Sequence, residues 1–107
     1  MDRTIKLIKE KIYKISDEKG IKIDRVILFG SRARGDFKHS SDWDILIVVN
    51  KDLPFQEKRE LSRIIRKRLA EFLIPSDIIV KSKEEINYYK DFMGSVVREA
   101  LKEGINI

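Results

Sequence analysis

A chain of 107 residues, 42% of them hydrophobic, has room for one domain with a modest core, expected to span residues 1–107. Lysine and arginine total 23 against 18 acids, a net charge of +5, and the absence of cysteine excludes a disulfide framework and thiolate chemistry. Asp2, Arg3, Lys6, Lys9 and Glu10 interrupt the N-terminal region, so neither a signal peptide nor a membrane span is expected and the cytoplasm is the expected compartment.

Ile5, Ile8, Ile12 and Ile15 recur every three to four residues and predict an amphipathic helix that stops near Gly20. The apolar run Val26-Ile27-Leu28-Phe29 reads as a buried strand over 25–29, delivering Gly30 to a tight turn. Ser31 suits the N-cap of a short helix over about 32–35. A second strand follows from Asp42 to Val49, and Lys51-Asp52-Leu53-Pro54 breaks the chain before a long helix that turns Leu61, Ile64, Ile65, Leu69, Phe72 and Leu73 inward. Pro75 ends that helix, and Asp77 opens a third strand through Ile78-Ile79-Val80. Ser82-Lys83-Glu84-Glu85 has the capping-box pattern and starts a last helical region, with Ile86, Tyr89, Met93, Val96, Val97 and Leu101 inward and Gly94 a candidate interruption or kink. The element order implies an α/β fold with a small, mixed sheet flanked by helices.

Chemistry concentrates at three strand mouths. A backbone turn at Gly30-Ser31 that presents N–H groups at a helix start is suited to phosphate. Asp42 and Asp44, two apart at the head of a strand, point to one face while Trp43 points to the other. Asp77 supplies a third acid at a neighbouring strand mouth. Hard oxygen ligands side by side suit magnesium, whereas turn and strand-end capping is the ordinary employment of each aspartate taken singly. Arg32 and Arg34 are candidates to clamp phosphate, but two residues apart on a helix they point in nearly opposite directions, so one is expected to pair with an acid such as Asp36. His39 is expected to be a loop residue without a catalytic role. A Walker A reading of Gly30 to Gly35 fails because Asp36 stands where the phosphate-binding lysine belongs.

Gly30-Ser31, ten intervening residues, then Asp42-Trp43-Asp44 resembles the signature of the polymerase-beta-like nucleotidyltransferase superfamily. The fuller Gly30-Ser31-Arg32-Ala33-Arg34-Gly35 with Ser41-Asp42-Trp43-Asp44 is most similar to its minimal branch, MNT, commonly the antitoxin half of HEPN/MNT toxin–antitoxin pairs. The resemblance implies the polymerase-beta-like fold and transfer of AMP from ATP to a tyrosine of a HEPN partner. It further implies that Asp42, Asp44 and Asp77 are the catalytic and metal-binding residues for two Mg²⁺ ions, with Gly30 and Ser31 seating the nucleotide's phosphates. Arg32 and Arg34 join them as nucleotide-binding candidates.

Three other readings remain open on the sequence. Lys58, Arg59, Arg63, Arg66, Lys67 and Arg68 could form a nucleic-acid-binding face, although Glu57, Glu60 and Glu71 interrupt the run and no aromatic residues interleave with it. The domain could mask a partner sterically with idle acids, or it could modify a small molecule, although the chain leaves little for an acceptor pocket. Tyr88, Tyr89, Phe92 and Met93 mark a region where a partner could dock, with core packing the expected state of Tyr89 and Met93.

Overall fold

The computed structural model describes residues 2–107. Helix α1 (Arg3–Glu18) is capped by Asp2, whose carboxylate accepts from the Thr4 N–H, and buries the isoleucine stripe Ile8, Ile12 and Ile15. Strand β1 (Ile23–Phe29), the one-turn helix α2 (Ser31–Arg34) and strand β2 (Trp43–Val49) follow, then α3 (Phe55–Glu71) and β3 (Ser76–Ser82). Helices α4 (Lys83–Tyr89) and α5 (Val96–Glu103) and the two-residue strand β4 (Ile105–Asn106) complete the order.

The sheet runs β3-β2-β1-β4, with β1 antiparallel to both β2 and β4 and with β2 parallel to β3. It is mixed, as expected. Strand alternation divides its side chains between two helical layers. Val26, Leu28, Trp43, Ile45, Ile47, Val49, Ile78 and Val80 pack with the apolar stripes of α1 and α3 in the larger core. Ile27, Phe29, Leu46 and Val48 pack with Ile86, Val97 and Ala100 in a smaller core under α4 and α5. Central β2 is buried on both faces from Ile45 to Val49, which explains its unbroken apolar run.

Three expectations change, and one open alternative is decided. Helix α3 ends at Glu71, before Pro75, and the chain turns through Leu73 with φ 61°, leaving Phe72 and Leu73 exposed rather than inward. Of the two alternatives at Gly94, interruption is the one found: the last helical region is two helices, and Gly94 takes φ 81° between them. Met93 therefore falls in the break and is 87% exposed instead of packed, while Tyr89 is half-buried against the smaller core. Ser31 is the first helical residue of α2 and not its N-cap; Gly30 holds that position. Strand β4 carries no periodicity long enough to be read from two residues.

Candidate active site

The end of β1 and the beginnings of β2 and β3 lie side by side. In the ladder, Asp44 is opposite Phe29 on one side and opposite Asp77 on the other. Alternation buries Trp43 in the larger core and puts Asp44 on the opposite face, while Asp42 lies just before the strand. Asp77, aligned with Asp44, shares that face. Asp44 is half-buried, whereas Asp42 and Asp77 are exposed.

Gly30 joins the turn to these acids. Its φ of 73° and ψ of −159° belong to a region open essentially to glycine alone, and a Cβ there would run into the Asp44 carboxylate. The absence of a side chain thus permits both the turn and the approach of Asp44 to it. Within α2 the Gly30 carbonyl accepts from Ala33 and Arg34, while the first N–H groups of such a turn have no acceptor inside it.

The two arginines separate. Arg32 donates from Nε and Nη2 to the Ser41 carbonyl, at 3.3 and 3.0 Å, and from Nη2 to the His39 carbonyl at 3.3 Å. Its guanidinium also lies over the Phe37 and Trp43 rings, 4.3 and 4.6 Å from their centroids. It braces the 36–42 loop from the Trp43 side, so the structure does not bring Arg32 to the acids. Arg34 pairs with Asp36 at 3.3 Å and with Glu103 at 3.1 Å. His39 enters only through its backbone, and the Ser41 hydroxyl accepts from the Lys38 N–H at 2.9 Å, ordinary turn chemistry.

Glu103 is the site residue that sequence reasoning missed. From the last turn of α5 it accepts from the Gly30 N–H at 3.2 Å, across 73 residues of chain. No local motif announces it. The flank of α3 was equally hidden: Asp42 shares an open cleft of about 490 Å³ with Arg63, Arg66, Lys67, Pro75 and Ser76. A cavity of about 370 Å³ near Gly20, Val49 and Leu53 lies at the other end of β2 from these acids and is lined by no carboxylate.

Burial raises the Asp44 carboxyl above its usual range, and the like charges of Asp77 and then Asp42 push the same way. Among the described residues, however, no three acidic or histidine side chains converge as a closed metal cage. An open set of carboxylate oxygens still fits Mg²⁺, which is usually held by one or two carboxylates together with substrate phosphates and water.

The family model of the nucleotidyltransferase domain matches residues 8–107. A provisionally named protein adenylyltransferase of Methanocaldococcus jannaschii is 35% identical over 103 residues, covering 96% of this chain and 97% of that one. The crystal structure of a provisionally named nucleotidyltransferase from Sulfolobus solfataricus superposes with a TM-score of 0.66 at 25% identity, over 97% of this chain and 78% of its own. A chain from the complex of tri-AMPylated Shewanella oneidensis HEPN toxin with MNT antitoxin shares the fold, with a TM-score of 0.54 at 19% identity over 94% of this chain and 69% of its own. With a family match over most of its length and a relative 35% identical across nearly the whole chain, carried on this mixed sheet, the chain belongs to the nucleotidyltransferase domain family.

Proposed function

We propose that this protein is a Mg²⁺-dependent protein adenylyltransferase that transfers AMP from ATP to a tyrosine hydroxyl of a HEPN-type toxin and so acts as its antitoxin. One observation carries the reading: Gly30, whose missing side chain lets the turn approach Asp44, which is itself aligned with Asp77 on the neighbouring strand. In this reading a phosphate seat and a cation site would meet at one end of the sheet. The kinship with a protein adenylyltransferase and the shared fold of the HEPN–MNT complex support the choice of acceptor.

In this reading Gly30, Ser31 and Arg34 would seat the β- and γ-phosphates, Asp42 and Asp44 would hold one Mg²⁺, and Asp77 would complete the set for a second. Two bound Mg²⁺ ions would offset the charge on the attacking and leaving oxygens of the transfer. The acceptor hydroxyl forms a bond to the α-phosphorus as the bond to the bridging oxygen of pyrophosphate breaks. Asp77, exposed beside Asp44, orients the hydroxyl and takes up its proton. Arg32 is left out of the phosphate seat because the 36–42 loop and two aromatic rings engage its guanidinium.

The test is to incubate the protein and co-purifying partner with Mg²⁺ and ATP labelled at either the α- or the γ-phosphate. The expected result is α-label on the partner, no γ-label on protein, and loss of transfer in Asp42→Asn and Asp77→Asn. Protein-bound γ-label overturns the reading in favour of a kinase-like reaction; an unmodified partner that still binds favours steric masking.

A further inference from the structure

Resting on that reading, we infer that Glu103 is an internal occupant of the phosphate seat, which the nucleotide's terminal phosphates must displace. The Glu103 carboxylate accepts from the Gly30 N–H at 3.2 Å and from Arg34 Nη1 at 3.1 Å through Oε1 and 3.2 Å through Oε2. These are two of the donors assigned above to the nucleotide. Two features of its surroundings work against an anion. Glu103 lies in the last turn of α5, where the helix dipole disfavours negative charge, and it faces the Asp44 carboxylate, another like charge. Its position is set from the far end of the chain. Strand β4 pairs Ile105 with Leu28 and Asn106 with Ile27, while a Cβ on the intervening Gly104 would meet the Ala100 carbonyl and the Ile27 side chain. The helix end is thereby clamped against β1 with the Glu103 side chain 22% exposed, so the carboxylate has an open route to solvent when displaced.

A residue that preorganised the seat would strengthen phosphate binding; an occupant weakens it. The two roles predict opposite signs on removal. The probe is inorganic tripolyphosphate titrated calorimetrically without metal into wild type, Glu103→Gln and Glu103→Asp, with circular dichroism confirming the fold of each. Glutamine keeps the shape without the charge, and aspartate keeps the charge on a shorter reach. Releasing one partly exposed ion pair should tighten tripolyphosphate binding by up to about fivefold in Glu103→Gln, with a smaller gain in Glu103→Asp. Unchanged or weaker binding in both variants overturns the inference.

A parallel arm keeps this result apart from the fate of the enzyme reading. Transfer of α-label from Mg²⁺-ATP by wild type, with tripolyphosphate affinity unmoved by either variant, removes only the role of Glu103. Failure of all three proteins to bind tripolyphosphate and Mg²⁺-ATP removes the phosphate seat as well.

Discussion

Asp44 is the most heavily constrained side chain in the site. Burial, then the charges of Asp77 and Asp42, raise its carboxyl, so the native state takes up a proton there more readily than the unfolded chain does. Stability from this residue is present at low pH and is lost as pH rises through the raised native value. Asp44→Asn removes the charge at every pH in nearly the same shape. After discounting for exposure, the variant should melt roughly 2–4 °C above wild type at neutral pH while losing transfer, with the gap in melting temperature closing as the solution is acidified. Thermal melts across that pH range check it; a variant less stable than wild type at neutral pH would show that Asp44 is held by favourable contacts instead. The aspartate pattern was legible because strand alternation is a local rule. The separate fates of Arg32 and Arg34 were legible only as an incompatibility, since which arginine turned to the loop depended on Phe37 and Trp43.

At the scale of elements, α4 begins on the one cap that could be read directly. Ser82 accepts from the Glu85 N–H at 3.1 Å and donates its own N–H to Glu85 at 3.0 Å, the reciprocal pair expected of a capping box. The tertiary structure adds Lys58, reaching from α3 to Glu85 at 2.8 Å. Burial works to raise the Glu85 carboxyl, but Lys58, the Ser82 N–H and Lys81 outweigh it and hold it below the usual range. Its stabilisation is therefore present above the unfolded-state value and lost as pH falls through the depressed native one. Glu85→Ala should cost about 1–2 kcal/mol at neutral pH, measured by urea unfolding, and less as the pH falls into the acid range. A cost independent of pH would mean that the side chain acts through packing. The division between α4 and α5 lay beyond such local signals, because a glycine inside a helical pattern is compatible with either a kink or a left-handed break.

At the scale of the molecule, the short edge strand fastens the end of α5 to β1. Strand β4 borders β1, the Ile107 N–H donates to the Val26 carbonyl at 3.0 Å, and Ile107 packs against the larger core. Removing residues 105–107 should lower stability by about 1–2 kcal/mol and speed amide exchange in α5, while β2, paired on both sides within the sheet, keeps its protection. Exchange that accelerates equally in β2 would show one cooperative unit with no locally released helix. The same truncation frees the turn that carries Glu103, so its effect on tripolyphosphate affinity should follow that of Glu103→Gln.

The sequence by itself determined the alternation of helices and strands, the α/β class, and the grouping of Gly30-Ser31 with Asp42 and Asp44, because each rests on spacing along a short segment. Tertiary structure alone decided that Asp77 aligns with Asp44, that Arg32 turns away, that α3 brings Arg63 and Arg66 beside Asp42, and that Glu103 reaches Gly30. The physical reason is sequence separation. Periodicity and capping act over one or two turns of chain, whereas a contact spanning 73 residues exists only after sheet register and helix packing have brought its ends together.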